Sequence, residues 1–223
     1  MTSLVTKSLR DQLHDLILER ILSGRYLPGE RLAPEQMRAE FAVSVTPVRE
    51  ALQKLASAGF VAIHAREGVY VSPLDARRAG EIYDVRTALE VLAARNAATR
   101  IPAEELAAIV ARYQAAAQEL AGGAGDEVLG GFEPALHDLM LKYSDNDVLK
   151  ATLVSIHRQW AWVRTIAGRA PGHLRPAFDQ HRVILDALSR RDPDAAAEAT
   201  RVHLQAVKAR VVEYLRSVDS ASK

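Results

Sequence analysis

From Asp75 onward, apolar residues return every three or four positions almost without a break, in an alanine-rich background, and that spacing leaves little room for any element but helix. Six stretches carry it. Ile82, Val85, Leu89, Leu92 and Asn96 share one face of the first, and Leu106, Ile109, Val110, Tyr113 and Leu120 one face of the second. The Gly-rich AGGAGDEVLGG reads as a loop. A third helix carries Leu136, His137, Met140 and Tyr143 and ends at SDND; a fourth carries Leu149, Leu153, Ile156, Trp160 and Val163 and stops before Gly168. Phe178, His181, Leu185 and Leu188 mark the fifth, and Ala199, His203, Ala206 and Val207 the last. Helices striped in this way bury their stripes against one another, so residues 73–223 are expected to form an all-helical bundle of about six helices.

Residues 1–72 have a different texture, and Ser72 and Pro73 mark the change, with Asp75 a good N-cap for the helix that follows. Leu9, Leu13, Leu16, Ile17 and Ile21 predict a helix that ends at Gly24. YLPGERLAP is a turn-rich connector, PEQMRAEF a short helix starting at proline, and AVS a turn. Ser44 can cap a third helix with Val48, Leu52 and Leu55 on its inner face, Pro47 in its first turn and Gly59 at its end. FVAIHAREGVYVS reads as two strands, Val61–Ile63 and Val69–Val71, around a turn containing Gly68. The whole chain is therefore expected to be mainly α, with three helices and a hairpin ahead of the bundle.

A helix, a tight turn and a second helix with polar residues at its start is the layout in which the second helix enters the DNA major groove. Thr46 can bond a phosphate or a base edge, Arg49 offers the donor fork that matches guanine, and Lys54 suits a phosphate. The hairpin would be a wing, with His64 and Arg66 near its tip facing the adjacent backbone or minor groove. The spacing alone is equally compatible with an ordinary helical hairpin whose charges are solvated.

Bulk charge gives no help: 29 basic against 28 acidic side chains leave a formal net charge of +1, so any nucleic-acid contact depends on local placement. The chain has no cysteine, which removes disulfides, thiolate metal sites and cysteine nucleophiles and fits a reducing compartment. Lys7, Arg10, Asp11 and Asp15 interrupt the N-terminal stretch, so no signal sequence is expected there, no apolar run approaches membrane-spanning length, and a cytoplasmic protein follows.

His137, His181 and His203 fall on inward faces of three different predicted helices, and imidazoles directed into one core can share a metal. Glu133, four residues before His137, would add a carboxylate on the same face, although Pro134 pushes Glu133 toward the N-cap or extended region. Each histidine alone is more often a hydrogen-bonded core residue than a ligand. Arg86 and Glu90 are spaced one turn apart for an i,i+4 ion pair, and Trp160 reads as core.

The stretch GRYLPGERL…FAVSVTPVREALQKLASAGFVAIHAREGVYV resembles the winged helix-turn-helix of the GntR family of bacterial transcription regulators over residues 8–72. It departs from the family at Val45, where the pattern VSRTPVRE usually has an arginine that contacts DNA; the valine replaces a charged contact with an apolar one, suited to a thymine methyl. With Ser44, these residues complete the expected DNA-reading set. YDVRTALEVLAARNAA, EPALHDLMLKYSDNDVL and FDQHRVILDALSRRDPDAAAEATRVHL resemble the FCD effector-binding and oligomerisation domain of the FadR-like branch, over residues 78–216, and six helices point to its VanR-like subgroup.

That resemblance implies a divalent metal, zinc with nickel or manganese as alternatives, held by Glu133, His137, His181 and His203, and a small organic acid bound beside it with Arg86, Trp160 and Arg164 in its pocket. It also implies a homodimeric repressor on double-stranded operator DNA, released by that acid, with no membrane partner and no catalytic role. The alternative is a metal-dependent hydrolase built on the same histidines, and a third reading makes the metal purely structural.

Overall fold

The computed structural model describes residues 7–129, 132–167 and 174–221, without the side chains of residues 126, 127, 133, 166, 167, 219 and 221. The expected stop at Gly168 and the last two glycines of the predicted loop lie outside the described residues. The chain forms two compact units, one of residues 1–74 with 161–166, the other of residues 75–160 with 167–223.

In the first unit, α1 (Leu9–Leu22), α2 (Pro34–Glu40) and α3 (Val45–Ser57) surround a core of Leu13, Ile17, Ile21, Leu32, Val48, Leu52 and Leu55. The stripe of α1 is rotated from the expected one: Leu9 and Leu16 are exposed, and Leu18 and His14 are buried instead. Gly24 takes φ +74° just past the helix, the left-handed conformation that closes a C-terminus. Between α2 and α3 the turn passes through Ala42 at φ +53°, a region that costs a residue with a Cβ about 1–2 kcal/mol.

The wing has three strands rather than two. β2 (Val61–His64) and β3 (Gly68–Val71) form the antiparallel hairpin, and β1 (Arg31–Leu32), from the stretch expected to be only a connector, pairs with the far edge of β3. Gly68 opens β3 rather than sitting in the turn, at φ +132°, and a Cβ there would meet the Arg31 side chain at 3.2 Å. Arg66 is the left-handed residue at the tip, with φ +69°.

Among the described residues six further α-helices follow: α4 (Ala76–Ala97), α5 (Ala103–Ala121), α6 (Phe132–Lys142), α7 (Asp147–Ala167), α8 (Leu174–Ser189) and α9 (Pro193–Ala221), with a 3-10 turn at Asp126–Leu129 inside the predicted loop. Side-chain caps fix several starts: the Asp75 carboxylate accepts from the Arg78 amide at 2.7 Å, Asn146 from Leu149 at 2.9 Å and Asp192 from Ala195 at 3.0 Å. Their core gathers Ile101, Leu136, Met140, Ile184, Leu188 and the rings of Tyr113, Phe132 and Phe178, the Tyr113 and Phe178 rings stacked at 4.3 Å. Helix α6 begins before Pro134, so Glu133 is helical rather than extended; proline is tolerated there because first-turn amides have no partner within the helix.

The inner face of α4 differs most from expectation. Val85 and Leu92 are exposed, whereas Tyr83, Arg86, Glu90, Ala93, Ala94 and Ala97 are buried. Small alanines let α4 lie close along α9, and the polar pair is interior because it is satisfied there, as described below.

The 161–166 segment of α7 belongs to the first unit. There the Trp162 indole, 1% exposed, lies against Phe60, with ring centroids 5.7 Å apart.

Replacing Ala42 with glycine removes the steric cost of the left-handed turn while adding glycine's greater unfolded-state freedom, so Ala42→Gly should stabilise the protein by about 0.5–1 kcal/mol, read as a higher urea midpoint.

Candidate metal centre and nucleic-acid interface

Helix α3 starts at Ser44, whose backbone (φ −74°, ψ 162°) is that of an N-cap, yet the side chain makes no capping bond. Pro47 removes one of the two amides such a cap can use. A cap side chain bonds the amide of the second or third helical residue, and the third here has no N–H. The Ser44 hydroxyl is thus left at the exposed helix start beside Thr46 and Arg49, both also exposed, while Val45 is half-buried. Neither Arg49 nor Arg66 makes an ion pair among the described residues, and His64 and Arg66 stand exposed at the wing tip. Lys54 is different: its ammonium lies 3.0 Å from Asp11. With the Ser8 hydroxyl, that contact holds the Asp11 carboxyl down at about 2.

In the second unit, His137 of α6, His181 of α8 and His203 of α9 converge, at 3%, 2% and 0% exposure. One nitrogen from each lies within 4.8 Å of the others, and the His181 and His203 ring centroids are 4.4 Å apart. His137 Nε2, His203 Nε2 and both nitrogens of His181 are buried with no hydrogen-bond partner among the described residues. Such an arrangement is costly unless something binds it. A tetrahedral zinc with nitrogens at about 2.0–2.1 Å holds them roughly 3.3 Å apart, within reach of a small inward rotation. The donor set therefore fits a divalent metal. Glu133 lies on α6 one turn before His137, and its side chain is outside the described residues.

Burial, and secondarily neighbouring cationic groups, pushes His181 and His203 well below the usual imidazole value, so both are neutral at neutral pH. Phe132, with its ring centroid 5.4 Å from that of His181, forms part of the apolar wall that removes water.

Two further side chains complete the centre, and neither was singled out from the sequence as part of it. Glu90, on α4, accepts hydrogen bonds from His137 Nδ1, from Arg86 Nε at 2.6 Å and from His157 Nε2 at 3.2 Å. Burial alone would raise its carboxyl, but the charge of Arg86 and the hydrogen bonds from His137 and His157 hold it well below the ordinary range. On the other side, His203 Nδ1 lies 3.2 Å from the side-chain oxygen of Gln180. The i,i+4 spacing of Arg86 and Glu90 was legible in the sequence; the reach of Glu90 to residues 47 and 67 positions away was not.

Arg86 is 0% exposed, paired with Glu90, with its guanidinium 4.0 Å from the ring centre of Trp160. Trp160 is buried and donates to the Tyr83 hydroxyl at 3.2 Å. The structure thus gives Arg86 an internal carboxylate partner. Arg164 is exposed and falls in the 161–166 segment of the first unit, while Trp160 belongs to the second.

The family model for the FCD domain matches residues 81–206, more than half of the chain, and that for bacterial regulatory proteins of the gntR family matches residues 9–71. The chain belongs to the GntR family, with an FCD domain. Among its relatives, the Nta operon transcriptional regulator of Aminobacter aminovorans is 29% identical over 87% of this chain and 90% of its own. The transcriptional repressor RspR of Escherichia coli (strain K12) is 25% identical over 91% of this chain and 88% of its own. A GntR regulator from Rhodococcus sp. RHA1 shares the fold, with a TM-score of 0.72 at 21% identity over 93% of this chain and 99% of that one.

As a GntR protein, the chain is a DNA-binding transcription regulator, and the hydrolase alternative finds no support among its relatives. FCD domains bind effector ligands and in some cases metals. Among the described residues no helix is long and apolar enough to cross a membrane.

In metal-free protein the unfolded chain binds protons at His181 and His203 more readily than the folded one does. Stability should therefore fall as pH drops below the unfolded value of about 6.5, by up to about 1.4 kcal/mol per pH unit for each histidine. Glu90 contributes in a lower window, its stabilisation being lost only as pH falls below the ordinary glutamate value. Urea unfolding between pH 7.5 and 5.5 measures the first effect, and a flat profile there would contradict it.

Proposed function

We propose that this GntR regulator is a cytoplasmic homodimeric repressor whose FCD domain holds one divalent metal and uses it to bind a small organic acid. The observation that carries the reading is the set of buried, unpartnered imidazole nitrogens of His137, His181 and His203 within 4.8 Å of one another. The six α-helices of the second unit suit the VanR-like form of the domain, and residues 1–72 and 73–223 divide the DNA-binding and effector roles.

A bound metal supplies a cationic centre with open positions that a carboxylate or water can take. The histidines hold it, Glu133 adds a fourth ligand from the same helix as His137, and zinc suits the nitrogen-rich set, with nickel or manganese as alternatives. Arg86 and Trp160 brace Glu90, which leaves effector anchoring to the metal rather than to the arginine.

In a dimer, two α3 helices read half-sites roughly 34 Å apart on a pseudo-palindromic duplex. Ser44, Val45, Thr46 and Arg49 face base edges and phosphates at the helix start, and Lys54, His64 and Arg66 face the backbone or minor groove. An organic acid releases the repressor only by binding its DNA-free arrangement more tightly than its DNA-bound one. The relative named a repressor, RspR of Escherichia coli, supports that sign of regulation.

Two measurements test these roles separately. Elemental analysis of dialysed protein should give about one equivalent of zinc, nickel or manganese, lost in His181→Ala; a metal-free, folded wild type would refute the metal assignment. Arg49→Ala should weaken operator binding by about 1–3 kcal/mol and relax one base preference, and unchanged binding would refute the placement of α3 in the groove.

A further inference from the structure

The three histidines are not held alike. His137 Nδ1 is bound to a buried carboxylate, His203 Nδ1 to the amide oxygen of Gln180, and His181 has neither nitrogen bound among the described residues. In both buttressed rings the outer nitrogen is Nδ1 and the nitrogen left without a partner is Nε2. An imidazole that donates from Nδ1 presents a lone pair at Nε2, and an anionic acceptor makes that lone pair more basic than a neutral amide does.

Glu90 has the geometry for this work beyond its pairing with Arg86. It is 2% exposed and comes from α4, not from any helix that carries a candidate metal ligand. One oxygen accepts from His137, and the other is fixed by Arg86 and His157, so the carboxylate cannot turn away. The Arg86 side chain is itself clamped between Glu90 and the Trp160 ring.

We infer that Glu90 is the positioning residue of the three-histidine centre: it fixes His137 as the Nδ1–H tautomer, aims Nε2 at His181 and His203, and raises its affinity for the metal. The inference rests on the metal reading above for its last part alone; the tautomer is a property of the metal-free protein.

The experiment uses the full chain and two double variants that avoid stranding a buried arginine charge. Arg86→Met/Glu90→Gln keeps an acceptor oxygen without its charge, and Arg86→Met/Glu90→Leu removes both. Long-range 1H–15N spectra of metal-free protein at pH 7.5 report the His137 tautomer, and competition titration with zinc alone reports affinity.

The wild type and the Gln variant should show Nδ1–H at His137, and the Leu variant should show Nε2–H. Zinc affinity should fall 10–100-fold in the Leu variant, with the Gln variant between. A wild-type His137 protonated at Nε2 would overturn the inference without recourse to any variant. Wild-type zinc affinity in a folded Leu variant would overturn it as well. Absence of zinc binding by a wild type with the Nδ1–H tautomer would refute the metal assignment and the affinity part together, while supporting the positioning of His137.

Discussion

A carboxylate buried in a helical core must be paired, and Glu90 is paired three times over. Much of the second unit is arranged around that requirement. Arg86 comes from one turn earlier on α4, His137 from α6 and His157 from α7, so the satisfaction of a single side chain ties three helices together. Alanine along the inner face of α4 and aromatic rings from α5, α6 and α8 provide the dry surroundings in which these polar contacts carry weight. Removing any partner exposes the others to the full penalty of an uncompensated buried charge or donor.

The same network separates two kinds of histidine. His181 and His203 are depressed by desolvation and act as neutral bases, whereas His137 sits against an anion. The histidine cluster is thus asymmetric in itself. In the first unit the logic is the opposite: Arg49 and Arg66 are left exposed and without ion pairs among the described residues, available to a polyanion, while Lys54 is already engaged by Asp11.

Helical periodicity made the six helices of the second unit legible, and the pattern around VSVTPVRE marked the winged helix. The inner face of α4 was misread because a hydrophobicity pattern favours Val85 and Leu92 over Arg86, Glu90 and a run of alanines. It cannot register that an ion pair satisfied by a third group belongs inside. β1 was missed because two residues become a strand only by pairing with β3, Arg31 opposite Tyr70 and Leu32 opposite Val69. The convergence of His137, His181 and His203 was anticipated from their faces, yet their supports were not: nothing local to Glu90, His157 or Gln180 announces partners on other helices. Pro47 shows the reverse case, a sequence feature in plain view whose effect on the Ser44 cap emerges only once helix positions are counted.

The cover that Trp162 provides for Phe60 gives the first unit a discontinuous chain. Its residues 1–74 are synthesised together, but the indole that packs on Phe60 follows about 90 residues later. At ribosomal rates of about 5–20 residues per second, the DNA-binding half waits roughly 5–20 s with an apolar ring uncovered. A nascent chain can therefore complete the core of its first unit only after much of the second has been made, so a polypeptide terminated before Trp162 lacks part of that core.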